Sequence, residues 1–68
     1  MNKRQKGYWS KKKERFSSGE EAKRRAVALR NNEYTVHVKV IPQEQVYLVI
    51  YSIPKWYEAQ LEQAGIHL

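Results

Sequence analysis

The sequence predicts an α+β domain: a small split β-α-β-β-α order, a ferredoxin-like half, folded as a two-layer sandwich with an antiparallel hairpin at its centre. Three observations carry that expectation. Tyr34 to Ile53 holds two runs of β-branched and aromatic residues divided by a short polar turn, which is a hairpin pattern. Ser17-Ser18-Gly19 opens one run of helix-forming residues and Pro54 opens another. The second hairpin run is apolar on both faces, so it needs cover on both sides and belongs in the middle of the sheet, between the first and second strands.

Taken in order, residues 1–7 lack apolar periodicity and are expected to be a flexible basic arm, leaving residues 8–68 as the single domain. Tyr8 to Phe16 reads as a strand or as a disordered tail; as a strand, which its two aromatics favour, it puts Tyr8, Ser10, Lys12, Glu14 and Phe16 on one face and Trp9, Lys11, Lys13 and Arg15 on the other. Ser18 with Glu21 forms a capping box, and the helix it starts should reach about Arg30. Glu20 with Arg24 and Glu21 with Arg25 are expected to pair along it. Ala22, Ala26 and Leu29 form its buried stripe, and Asn31 and Asn32 are expected to end it in a left-handed conformation. In the next strand Tyr34, Val36, Val38 and Val40 alternate with Thr35, His37 and Lys39, and the turn is read as Pro42 to Gln45. The last helix should bury Tyr57, Leu61 and Ala64 and close at Gly65, with Ile66 to Leu68 as a strand stub or a docked tail.

The chain has 68 residues, no cysteine and a net charge of +6. That length allows one domain, and the lack of thiols excludes a disulfide scaffold or a thiolate metal site. No apolar run approaches the roughly 20 residues of a membrane helix, and no apolar segment follows the N-terminal bases, so a cytoplasmic chain with no membrane association is expected. The charge is localised. Residues 1–16 hold seven bases against Glu14 alone, whereas the remaining residues hold six bases and six glutamates. Such a segment either keeps a small domain solvated or attracts polyanions by counterion release, with nucleic acid the commonest cytosolic example.

Suppose Val36, Val38, Val40, Val46, Leu48 and Ile50 face the helices. The open face then carries Thr35, His37, Lys39, Tyr47, Val49 and Tyr51, beside Trp9, Lys11, Lys13 and Arg15. Adding Lys12 from the lysine run, the candidate nucleic-acid-binding residues are Trp9, Lys11, Lys12, Lys13, Arg15, His37, Lys39, Tyr47 and Tyr51. Rings would stack bases while cations hold phosphates. The layout resembles that of RNA-recognition domains, with aromatics on the first and third strands, which implies binding of single-stranded or structured RNA or DNA. The glycine-containing consensus of their third strand is absent from QVYLVIYSI. The pattern of apolar classes from Phe16 to Val40 also resembles the helix-strand half of SPOR-type domains, whose glycan-binding role would need export.

Bland roles compete with these. Tyr47, Val49 and Tyr51 equally suit the seam of a homodimer or the footprint of a protein partner, as in an inhibitor or assembly factor. Trp9 suits a core anchor, and Trp56 a helix flank packed on a sheet edge or, as an alternative to the tyrosine seam, a protein-docking patch. Catalysis finds little support, since the chain has no Asp, no Cys and no glycine-rich phosphate loop. His37 and His67 stand 30 residues apart, too few and too distant for a metal site. The combination of a short sheet, one histidine and a C-terminal helix resembles HicA-type toxin ribonucleases, but their Gly-Ser-His signature is missing. A non-enzymatic protein without a cofactor is therefore expected.

Overall fold

β-Branched and aromatic residues give the chain its extended segments, and the pairing of those segments decides which side chains meet the helices. A computed structural model describes residues 8–68. The basic arm expected over residues 1–7 lies outside the described residues. Five elements follow in order: β1 Trp9–Phe16, α1 Gly19–Arg30, β2 Val36–Pro42, β3 Tyr47–Pro54 and α2 Lys55–Ala64. The sheet order is β1-β3-β2, with β3 antiparallel to both neighbours. The result is a small α+β fold in which both helices pack over one face of an open three-stranded sheet.

The Oγ of Ser18 caps α1 by accepting the backbone N–H groups of Glu20 and Glu21 at 3.2 and 3.4 Å. Ser18→Ala is expected to cost about 1 kcal/mol. In a domain of this size that lowers the thermal midpoint by roughly 4–8 °C, and an unchanged midpoint would show the cap to be idle in solution. Ala22, Ala26 and Leu29 are buried as the periodicity predicts, and the two alanines let the helix approach the sheet closely. Its end differs from expectation. Asn31 is right-handed at φ −78°, and neither Asn31 nor Asn32 takes a positive φ. Side chains close this loop instead: Asn32 Oδ1 accepts the Tyr34 N–H at 2.7 Å and Asn32 Nδ2 donates to the Tyr57 hydroxyl at 2.9 Å. Thr35, expected on the open face, is buried here and donates its hydroxyl to the Leu29 and Asn32 carbonyls.

The hairpin register overturns the expected facing of β3. The Gln43 N–H donates to the Val46 carbonyl at 2.8 Å, so the chain reverses at Glu44-Gln45, and Pro42 sits in β2 opposite Tyr47. That reversal sets Val40 against Val49 and Ile41 against Leu48. Because side chains alternate with period 2, Tyr47, Val49, Tyr51 and Ile53 join Val38 and Val40 under the helices, while Leu48 and Ile50 face outward. Val49, Tyr51 and Ile53 are buried, at 0%, 6% and 2% exposure. Tyr47 packs its ring over α1, within 3.2 Å of where a side chain at Gly19 would begin. Tyr47 and Tyr51 are therefore not open-face residues.

α2 is only lightly docked. None of its residues is fully buried, and Tyr57 and Leu61 pack half-buried on the core while Ala64, expected inside, is exposed. Gly65 ends it at φ +70°, a left-handed position that favours glycine, and the Ile66 N–H returns to the Leu61 carbonyl at 2.9 Å. Ile66 to Leu68 is a docked tail rather than a strand. Leu68 packs on the core and its carbonyl accepts a hydrogen bond from Arg25.

Candidate nucleic-acid interface

β1 alternates strictly between half-buried and exposed residues, which assigns its charges to two faces with different fates. Toward the helices, Lys12 is bound in an ion pair with Glu58 of α2. Lys12 was expected among the nucleic-acid ligands, and the structure removes it from the open face. Glu14, two residues on, is held by Arg25 of α1, whose Nε and Nη2 donate to its two oxygens at 2.8 and 3.1 Å. Arg25 thus spans to the sheet instead of pairing with Glu21 along the helix. The Tyr51 hydroxyl donates to the same carboxylate at 3.1 Å. Tyr51 is thus a structural residue, which explains why a polar ring tip can be buried there.

The Arg25 hydrogen bonds, with smaller contributions from the Arg25 charge and the Tyr51 hydrogen bond, hold the Glu14 carboxyl below its ordinary value of 4.5, against the opposing effect of burial. Burial in turn pushes the Tyr51 hydroxyl up, with the Glu14 charge adding to it, so it remains a donor. A lowered carboxyl contributes its full stability above its unfolded value and loses it as pH falls through the folded one. The thermal midpoint should therefore fall as pH drops below about 4.5. Glu14→Gln, less stable at neutral pH, should show a shallower acid limb, and parallel curves for the two proteins would refute the assignment.

Away from the helices lie Trp9, Lys11, Lys13 and Arg15 on β1, Leu48, Ile50 and Ser52 on β3, and Lys39 and Ile41 on β2. Across the sheet, Lys13, Ile50 and Lys39 form one row, and Arg15, Leu48 and Ile41 the next. Neighbouring strands lie about 4.8 Å apart, so Lys13 and Lys39 stand roughly 10 Å apart across an aliphatic stripe. Between Val36 and Lys39 the register slips by one residue, and His37 occupies that bulge at φ +58°. A non-glycine residue there costs on the order of 1–3 kcal/mol. The bulge places His37 with Lys11, Lys13, Lys39, Ile50 and Ser52 around an open depression of about 600 Å³, with Lys12 and Tyr51 contributing as the intervening strand residues.

Among the described residues, Lys11, Lys13, Arg15 and Lys39 make no ion pair, and no carboxylate shares their face. Six of the nine expected ligands therefore share one surface: Trp9, Lys11, Lys13, Arg15, His37 and Lys39. Trp9, at 38% exposure, is not a core anchor. The structure adds Leu48, Ile50 and Ile41 to this face, which the two-sided apolar pattern of β3 could not assign. It also adds an aromatic group at the end of the sheet that holds Tyr34, Trp56 and Tyr57, with ring centroids 4.5–5.8 Å apart. The signal for this group was the run Pro54-Lys55-Trp56-Tyr57, whose first helical turn carries two adjacent rings.

Among the described residues, no group of three or more metal-ligating side chains is gathered, and no helix is long and apolar enough to cross a membrane. What the site defines is an open cationic sheet face on a small α+β fold. Compared with known proteins, the chain matches no protein-family model, no curated protein and no solved structure significantly.

Proposed function

We infer that this is a small, non-enzymatic, cytoplasmic nucleic-acid-binding accessory protein whose open sheet face holds phosphates. The observation that carries the reading is the segregation of charge. Lys12 and Arg25, toward the helices, are paired with carboxylates, whereas Lys11, Lys13, Arg15 and Lys39 line the other face with no acid among them. Lysines on edge strands also discourage edge-to-edge aggregation, but charges of mixed sign would do that equally well. A single-sign face of side chains about 6.8 Å apart along β1 suits a polyanion. The sequence places Lys3, Arg4 and Lys6 just ahead of that strand. In this reading the five elements are the first five of a ferredoxin-like plan, with β3 inserted between β1 and β2.

Stacking on Tyr47 and Tyr51 is not part of the proposal, because both serve the core. The same burial removes the Tyr47, Val49 and Tyr51 seam from the alternative of a homodimer or a protein-docking face. A face-to-face dimer through the open side would also bring two sets of like charges together. The affinity for an oligonucleotide should be measurable at about 50 mM salt and fall linearly on a log–log plot as salt rises. Absence of binding at that salt overturns the reading.

A further inference from the structure

Among the described residues, seven large hydrophobic residues are exposed, of which Tyr8, Trp9, Tyr34 and Trp56 form one continuous surface, each 37–46% exposed. The rings of Tyr8 and Trp9 meet edge to face at 4.8 Å, and those of Tyr34 and Trp56 at 5.2 Å. Trp56 Nε1 points at the Tyr8 hydroxyl from 3.4 Å, joining the two pairs. Core packing accounts for Tyr57, which is half-buried and hydrogen-bonded to Asn32, but it does not account for the other four. Val27, Ile41 and Ile66, the remaining exposed residues, are scattered. A contiguous aromatic surface on a chain this small asks for an occupant.

Its occupant is indicated by what adjoins it. Trp9 heads the open-face row of β1 and is followed on the same face by Lys11, Lys13 and Arg15. Lys55 is exposed beside Trp56, while Glu58 is engaged by Lys12. Rings at the head of a cationic track match a strand whose backbone lies on the cations and whose bases leave the stack at the end. A duplex keeps its bases stacked on one another and offers these rings nothing.

Resting on the nucleic-acid reading above, we propose that Trp9, Tyr8, Trp56 and Tyr34 are a stacking shelf for unpaired bases, so that the protein selects single-stranded nucleic acid over duplex. The test uses the full chain, a labelled oligo-dT or oligo-U of about 20 nucleotides, and a duplex of the same length, at one salt concentration. The wild type should bind the single strand more tightly, with tryptophan fluorescence quenched by it and not by the duplex. Trp9→Leu and Trp56→Leu should each weaken single-strand binding by about 5- to 150-fold and leave duplex binding unchanged. Trp56→Phe, which keeps a ring, should retain most of the affinity and guards against a leucine variant that fails to fold. Equal binding of both probes, or folded Trp variants that bind the single strand as the wild type does, overturns the shelf while leaving the cationic face standing. Failure of the wild type to bind either probe overturns both.

Discussion

Replacing Lys11, Lys13 and Lys39 together by glutamine is expected to flatten the salt dependence of nucleic-acid binding by about 2 units for a single strand and about 3 for a duplex. The arithmetic follows from counterion release, at roughly 0.7 and 0.9 units per neutralised phosphate. Between about 50 and 200 mM salt, that share of the slope corresponds to a change in affinity of roughly 20- to 40-fold. The matched control replaces Lys23, Arg24 and Arg30, which removes the same charge from α1, Arg30 giving up with it a hydrogen bond to the Val38 carbonyl of β2. The control tests face against net charge, because each variant lowers the total from +6 by three. A cationic interface predicts loss in the first variant and little in the second. Equal losses would mean that the protein binds through its overall charge, and the open face would have no special standing.

The sequence made most of the elements legible because local chemistry fixes them. Ser17 or Ser18 could cap a helix before Glu20 and Glu21, and the structure uses Ser18; Gly65 suits a helix end; and Trp9, Lys11, Lys13 and Arg15 fit one face of a strand, which the structure adopts in place of a tail. Facing in β3 was not legible, for a physical reason. Both of its faces are apolar, so its pattern has no preferred side, and the turn contains no glycine to fix the loop length. What decides the facing is which β3 residues lie opposite Val38 and Val40: the observed register sets Val40 against Val49, and one residue of slip would exchange Tyr51 for Ile50 on the open face. β1 could not arbitrate, since each of its faces carries lysine. The hidden clue was Glu14: a carboxylate facing the helices needs donors, and Arg25 and a tyrosine hydroxyl from β3 supply them. The faces of Lys11, Lys13, Arg15 and Lys39 are readable from the sequence, while those of Tyr47 and Tyr51 are not. β1 and β2 carry the charge and their alternation is polar on one side, whereas the rings inside the sheet depended on β3 alone.

Leu29→Ala is expected to produce the largest loss of stability of any single truncation in α1. Leu29 is 1% exposed and meets Val49, Tyr51 and Ile53, the central residues of the sheet's inner face. Removing a buried leucine side chain costs about 2–5 kcal/mol, through lost transfer energy and the cavity left behind. A 68-residue domain has only about 3–10 kcal/mol in total, so the variant should melt at least about 10 °C lower and lie near the edge of folding at 37 °C. The site is poorly able to relax, because the neighbouring stripe residues are Ala22 and Ala26, too short to fill the gap. Val27, two residues earlier, is 54% exposed, and Val27→Ala should change stability by no more than about 0.5 kcal/mol. Thermal melts followed by far-UV circular dichroism separate the two. Similar midpoints for Leu29→Ala and Val27→Ala would contradict the helix orientation, and with it the placement of Tyr51 beneath α1. A partly unfolded Leu29→Ala protein should also lose its preference for single strands, since the shelf depends on α2 being held against the sheet end, yet it should keep salt-dependent attraction to nucleic acid, because the lysine-rich segment remains cationic without a fold.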